Sequence, residues 1–349
     1  MDNTTNFSDL GNSTPGTMVL STSERVGVSV MYLVILILSI GGNGGLIVAV
    51  TRSKSLQTRD NAFVVCLSVA NLMTGLSLPW SVVGLLSSEG WPLTTEVPCQ
   101  LAGHCLIISF GANLYSLAGI AINRVLIIVA SPSTYQEWWT PAKVAVMVTV
   151  AWVLPFLTVL IPPLLSVGTV GYDENDHTCS FVGRDQNGHG YQLALTMVFY
   201  PIPIVSIIVS YVVIFVTIQH NFRHQKKQCA AAPSQPCDFS WGAGRESRKS
   251  HVKRQELHIT LNLFINVCVV FLLNLPYGIA LVLPDHHRVV LFSSLVFLMH
   301  SFVHPILYGF RHPQFNRAFR RMLHLTRGPR SPIGSAQQHS LQIPSITQL

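Results

Sequence analysis

The sequence predicts an all-α membrane protein, a seven-transmembrane helix bundle with a short amphipathic helix after the seventh span. Three observations carry that expectation. Asp, Glu, Lys and Arg make up only 11% of the 349 residues, where soluble domains run at about 25%. Hydrophobic residues reach 49%, and mean hydropathy is +0.43. The missing charge is also missing in blocks. Residues 26–51, 61–88, 97–123, 144–172, 186–222, 257–284 and 289–310 contain none of the four charged types, and each block holds at least 22 residues. A helix needs about 20 apolar residues, at ~1.5 Å each, to cross the ~30 Å hydrocarbon layer. Barrel strands of about 10 residues alternate apolar and polar positions instead, and a soluble helical core gives no reason for seven uncharged blocks in succession.

The segment ahead of the first block, 1–25, holds Asn-x-Ser/Thr triplets at Asn3, Asn6 and Asn12, and no other such triplet occurs in the chain. Glycan acceptors belong on a lumenal tail. No basic stretch leads into an apolar one here, so the tail does not read as a cleaved leader, and the first span is expected to direct insertion. Loop charge gives the same orientation. Only Arg25, Arg184 and Arg288 of the 22 Lys and Arg fall on the amino-terminal side, with ten of the 15 acids, a net of −7 against +14 on the other side. The expectation is a multi-pass plasma-membrane protein with its amino terminus extracellular. Its pI of 9.2 then reflects basic residues beside helix ends, drawn to the anionic inner leaflet, rather than a nucleic-acid partner.

Within a transmembrane domain at 26–310, the spans are expected at 26–51, 61–88, 97–130, 141–165, 190–220, 255–284 and 288–310. The long loops are an outer one, 166–189, and an inner one, 221–254. The inner loop surrounds a Pro-, Ala- and Gly-rich centre with basic residues and reads as disordered at its middle. At 311–325, Phe315, Phe319, Met322 and Leu323 share one face while Arg317, Arg320 and Arg321 lie elsewhere, the pattern of a helix lying on the membrane surface. Residues 326–349 read as a disordered polar cytoplasmic tail. Of the seven cysteines, Cys99 at the start of the third span and Cys179 in the long outer loop are the only two in the oxidising compartment, so they are the expected disulfide. Cys66, Cys105 and Cys268 read as small core residues. Cys229 and Cys237 face the reducing side, no CxxC occurs, and no metal or cofactor is expected.

Charge inside a bilayer is costly and usually marks function. Here it is Arg124, in Ala121-Ile122-Asn123-Arg124-Val125, 25 residues after Cys99. That separation is roughly 37 Å of helix, so one span joins the disulfide to the arginine at its other end. Arg124 and a set of further landmarks resemble the rhodopsin-like (class A) G-protein-coupled receptors over all seven spans. These are Gly42-Asn43, Leu67-Ser68-Val69-Ala70-Asn71, Trp91, Trp152, Pro203 with Tyr211, Leu275-Pro276, and His304-Pro305-Ile306-Leu307-Tyr308 followed by Phe315. The Asn-Arg pair and the Tyr308-Gly309 ending are similar to those of melatonin-type receptors and related invertebrate orphans. The resemblance implies a receptor, not an enzyme, in which an extracellular ligand shifts a two-state equilibrium, the sixth helix swings outward and a heterotrimeric G protein is activated. Arg124 would then engage the G protein or Tyr211, and Tyr308 would swing inward and join Tyr211 through water. The alternative is a receptor-like scaffold or decoy that does not couple to G proteins.

The departures from that pattern are specific. Asn123 stands where the family has an acid, leaving Arg124 without an adjacent carboxylate. Glu256, 20 residues before Pro276, is placed to pair with Arg124 and close the cleft; the plainer reading is a solvated acid at a helix start. Asn71 replaces the sodium-holding Asp, and Asn113 and His300 also differ, while Ser301 matches, so a high-affinity sodium site is not expected. His300 and His304 lie four apart on one helix face and, with Asn43 and Asn71, suggest a polar core network that low pH could bias; satisfied core histidines are the competing reading. Asn274 replaces the Trp that floors the family's ligand pocket, which leaves Phe271 or Tyr277 to couple ligand to helix. Leu106 stands where the family's amine receptors carry an Asp and argues against a biogenic-amine ligand, and Leu298 stands where opsins carry the retinal lysine and argues against a photoreceptor. Thr347-Gln348-Leu349 fits a PDZ-domain ligand, and the tail Ser and Thr residues suit phosphorylation and arrestin recruitment. The acids Asp173, Glu174 and Asp176 read as a solvated outer loop or an attractor of cations.

Overall fold

A computed structural model of the chain describes residues 20–87, 90–174, 176–182, 186–231, 248–282 and 287–322. Asn3, Asn6 and Asn12, residues 232–247 of the loop after the fifth span, and the tail with Thr347-Gln348-Leu349 lie outside the described residues. Seven described segments are helical, long and apolar enough to cross a membrane: Thr22–Arg52, Arg59–Leu86, Val97–Val129, Pro141–Leu164, Gly190–His224, Glu256–Ala280 and Arg288–Gly309. They are spans one to seven of a bundle whose outer faces present Ile37, Leu76, Val146, Phe215 and Leu272, an apolar surface suited to lipid.

Local chemistry sets where the helices start and break. Helix α1 (Thr22–Arg52) opens on a capping box, in which Glu24 N donates to Ser21 Oγ at 3.3 Å and Ser21 N donates to Glu24 Oε2 at 2.8 Å. Helices α2 (Ala62–Leu86) and α3 (Val97–Val129) follow, then a short helix in the loop after the third span, α4 (Pro132–Trp138), capped by Ser131, and α5 (Pro141–Leu164), capped by Thr140. The fifth span divides into α6 (Gln186–Phe199) and α7 (Pro201–Ala231), because Pro201 has no N–H to give and suits a first turn rather than a helix interior. The sixth span is α8 (Arg248–Val282), and the seventh divides at Met299 into α9 (His287–Leu298) and α10 (His300–Arg311). Helix α11 (Pro313–Met322) completes the bundle, with Phe315 fully buried against it and Arg317, Arg320 and Arg321 exposed.

One proline shows how separate landmarks serve one contact. Pro305 cannot donate to the Ser301 carbonyl one turn back. Asn43 Nδ2 donates to that carbonyl instead, at 2.8 Å. A Cβ on Gly42 would lie 2.6 Å from Pro305 Cγ, so only a glycine lets the first span approach closely enough.

Between the fourth and fifth spans the chain forms an antiparallel hairpin, β1 (Thr169–Asp173) with β2 (Thr178–Val182), Thr169 opposite Val182 and Asp173 opposite Thr178. The expected disulfide is present. Cys179 on β2 is bonded to Cys99, Cα to Cα 5.1 Å, and ties the hairpin over the bundle's end. The hairpin sits close because a Cβ at Gly103 would meet Val170 Cγ1 at 2.6 Å and one at Gly84 would meet Tyr172 Cε2 at 2.7 Å. Below it the core has two parts. One gathers Tyr32, Leu78, Phe110, Tyr191 and Phe297 near the disulfide, and the other Leu46, Phe63, Leu117, Trp139 and Leu263 toward Arg124.

Candidate functional site

At the arginine end, the third and sixth spans are joined by an ion pair. Arg124 Nη1 lies 3.0 Å from Glu256 Oε2, with the two side chains 9% and 30% exposed. Asn123 offers Arg124 no carboxylate; its side-chain amide lies 3.3 Å from the Tyr135 hydroxyl. That hydroxyl donates to Asp60 Oδ1 at 2.6 Å. Burial, then Asp60, push the Tyr135 hydroxyl's pKa up, so it stays protonated and keeps donating. Next to this contact Arg59 Nη1 donates to the Trp139 carbonyl at 2.6 Å, and Trp139 is buried against Phe63, ring centroids 5.9 Å apart. Two polar contacts and one aromatic contact thus pin α4 to the start of the second span.

Beside the ion pair stand two phenols. The Tyr211 and Tyr308 hydroxyls are buried and, among the described residues, make no hydrogen bond. Tyr211 packs edge-on to Phe264, and Tyr308 packs on His312 and Phe315. His312, just past the seventh span, is held well below the usual imidazole range, at about 4, by burial first and by the Arg124 charge second.

Midway through the bundle, polar side chains form a chain of amides. Asn43 Nδ2 donates to the Ser39 and Ser301 carbonyls, Asn71 Nδ2 donates to Asn43 Oδ1 at 3.3 Å, and Asn113 Nδ2 donates to Asn71 Oδ1 at 2.7 Å. Asn43 and Asn71 are 0% exposed and Asn113 is 1% exposed. His300 and His304 are also buried, but among the described residues neither ring hydrogen-bonds to the asparagine chain. His300 Nδ1 donates to the Phe297 carbonyl, and His304 Nδ1 meets the Asn266 amide at 2.7 Å. Ser301 Oγ turns back to the Leu298 carbonyl.

At the disulfide end two small cavities, about 50 and 70 Å³, lie under strand β2. Leu106 and Tyr277 line both, and Leu298 lines one. Phe271 and Asn274 line neither. Phe271 packs into the core toward Arg124, and Asn274 Nδ2 donates to the Val270 carbonyl at 2.8 Å in its own helix. Asp176, Tyr32 and Ser294 enter the cavity wall, with Tyr32 Oη 3.0 Å from Ser294 Oγ.

Sequence reasoning did not single out Asp60, Tyr135, Asn266 or Tyr32 for the site. The signal available for Asp60 was an acid amid basic loop residues between the first two spans, which does not reveal a tyrosine partner 75 positions away. Asn266, two helical turns before Asn274, was a polar residue in an apolar span and was the stronger clue.

The chain matches the family model described as "7 transmembrane receptor (rhodopsin family)" over residues 42–308. It is similar to Protein trapped in endoderm-1 of Drosophila melanogaster, 26% identical over 86% of this chain and 79% of that protein. It is also similar to Melatonin receptor type 1B-A of Danio rerio, 31% identical over 51% of this chain and 60% of that receptor. Squid rhodopsin shares the fold, with a TM-score of 0.72 at 18% identity, covering 89% of this chain and 91% of that one.

Proposed function

The chain belongs to the rhodopsin family of seven-transmembrane receptors, and from that premise we propose that it converts binding of an extracellular ligand into activation of a heterotrimeric G protein. The single observation that carries the reading is the Arg124–Glu256 ion pair, which holds the inner ends of the third and sixth spans together. A ligand in the cavities beneath the hairpin favours a state in which α8 swings outward and the pair parts. Arg124 is then free to meet the G protein or Tyr211, and Tyr308 turns inward toward Tyr211. Among the described residues neither tyrosine hydroxyl has a hydrogen-bond partner, which supports this step, since each has hydrogen-bonding capacity to gain from it. Pro305, whose backbone cannot bond the Ser301 carbonyl that Asn43 takes up instead, supplies the deformable point in the seventh span. In this reading the protein sits in the plasma membrane with its amino terminus outside and glycans on Asn3, Asn6 and Asn12. The asparagine chain takes the place of a sodium site, and arrestin and PDZ contacts fall to the tail. A non-coupling scaffold or decoy is the less economical reading, because it leaves Arg124, Tyr211 and Tyr308 at one end of the bundle without a role.

The test is ligand-free G-protein activation in cells, matched for surface expression, with a panel of G-protein sensors. Glu256→Ala is expected to raise signalling above wild type on at least one sensor, and Arg124→Ala to abolish it. Signalling by both variants equal to wild type across the panel would remove the ion pair from the mechanism.

A further inference from the structure

The sixth span has little direct hold on the cavities beneath the hairpin. Asn274 is buried, lines neither cavity and donates to the Val270 carbonyl of its own helix. Of the described residues of α8 only Tyr277 enters the cavity walls. It stands beyond Pro276, whose missing N–H makes that point of the helix deformable.

The seventh span makes the firmer connection. Phe297 lines both cavities, and its ring centroid lies 4.9 Å from Phe110 and 4.9 Å from Tyr277. One turn further along, the His300 ring packs edge-on to Phe297 at 5.0 Å and to Phe110 at 6.0 Å. His300 Nδ1 donates to the Phe297 carbonyl. That bond bridges the division at Met299 between α9 and α10, so a displacement of Phe297 is passed to the first residue of α10. His304, four residues on, shares that face of α10, and its Nδ1 meets the Asn266 amide of α8 at 2.7 Å. His300, His304 and Asn266 are at most 2% exposed, in surroundings where a hydrogen bond is stronger than in water. Asn266 lies between Glu256 and Pro276, on the part of α8 that must move if the ion pair is to part.

We infer that His300 is a positioning residue that carries occupancy of the cavities to the sixth span, from Phe297 across the Met299 division to His304 and Asn266. An occupant displaces Phe297, His300 follows through its bond to the Phe297 carbonyl, and the shift of α10 parts His304 from Asn266 and frees α8. This rests on the reading that these cavities receive the ligand and that α8 swings outward.

The test replaces the ligand with side chains grown into the cavities, Leu106→Trp from the third span or Ser180→Phe from the hairpin, in full-length protein in lipid nanodiscs. Spin labels at Val129 and Leu261, both exposed, report the ratio of long to short distances between the third and sixth spans. Filling is expected to raise that ratio at least about fivefold, the lower end of the usual coupling between sites. The rise should vanish in His300→Ala and in Asn266→Leu. It should return in His300→Asn, whose side-chain amide donates to the Phe297 carbonyl in place of the imidazole. Each rise is measured within its own background, so a variant that alters the resting ratio is still decisive. The inference is overturned if neither filler raises the ratio, or if His300→Asn does not restore the rise. It is also overturned if the rise survives His300→Ala or Asn266→Leu, as a push carried along α8 by Tyr277 would. Two fillers and two interruptions keep the outcome readable should one variant not fold. No G protein is present, so failure here leaves the coupling proposal standing, and silent sensors in the coupling experiment leave this route standing.

Discussion

Asn71 and Asn113 make the shortest contact in the buried amide chain, 2.7 Å, with both side chains sealed from solvent. Asn71→Leu keeps about the same volume and removes two functions. Asn113 Nδ2 loses its acceptor, and Asn43 Oδ1 loses the donor that reaches it at 3.3 Å. Hydrogen bonds between side chains in membrane helices average about 0.6 kcal/mol in double-mutant cycles, with a maximum near about 1.7. A short, fully buried bond belongs in the upper half of that range, so the Asn71–Asn113 coupling is expected at about 1 to 1.5 kcal/mol. The longer Asn71–Asn43 contact is expected near or below the ~0.6 average. The assay is denaturant unfolding in mixed micelles, followed by tryptophan fluorescence, of Asn71→Leu, Asn113→Ala and the double variant. The two single losses should exceed the double loss by the coupling energy. Additivity to within about 0.3 kcal/mol would refute the claim that these residues act as one network.

Tyr135→Phe removes a hydrogen bond to a carboxylate, worth about 1.5 to 3 kcal/mol, and should loosen α4. Hydrogen exchange of its amides is expected to quicken at least about tenfold while α3 stays unchanged, and unaltered exchange in α4 would count against the clamp. His312 gives a pH signature. Its folded pKa of about 4 lies below the ordinary 6.5, so as pH falls below 6.5 the unfolded chain takes a proton that the folded chain refuses. The stability from this residue is therefore present above pH 6.5 and lost progressively toward pH 4. His312→Gln should flatten that part of the stability curve, and an identical slope in the variant would contradict the assignment.

The seven spans were legible because charge is excluded from hydrocarbon, so the uncharged blocks mark the membrane. The disulfide was legible because loop charge set Cys99 and Cys179 apart from the other cysteines, and Arg124 because it is a charge at a span's end. The rotation of each span was harder to read, since lipid-facing and core-facing sides are both apolar. This is why Phe271, expected at the ligand pocket, packs toward Arg124 instead. Buried amides were better guides, as Asn43, Asn71 and Asn113 all face the bundle axis. Breaks at Pro201 and Met299 and the hairpin at Thr169–Asp173 and Thr178–Val182 fell inside or beside uncharged blocks, where charge counting carries no information. Contacts such as Asp60 with Tyr135 arise only when distant segments meet.

The distance between the Arg124 end of the third span and the Glu256 end of the sixth tests the central claim most directly. Spin labels at Val129 and Leu261, both lipid-facing and exposed, report it by electron–electron double resonance in nanodiscs without ligand. The Arg124–Glu256 pair is part-buried, between exposed pairs worth about 0–1 kcal/mol and buried ones whose breakage costs about 3–5. A loss of about 1.4 kcal/mol shifts a two-state ratio tenfold. Glu256→Gln should therefore raise the ratio of long-distance to short-distance populations about tenfold over wild type. Superimposable distance distributions for the two proteins would contradict the account.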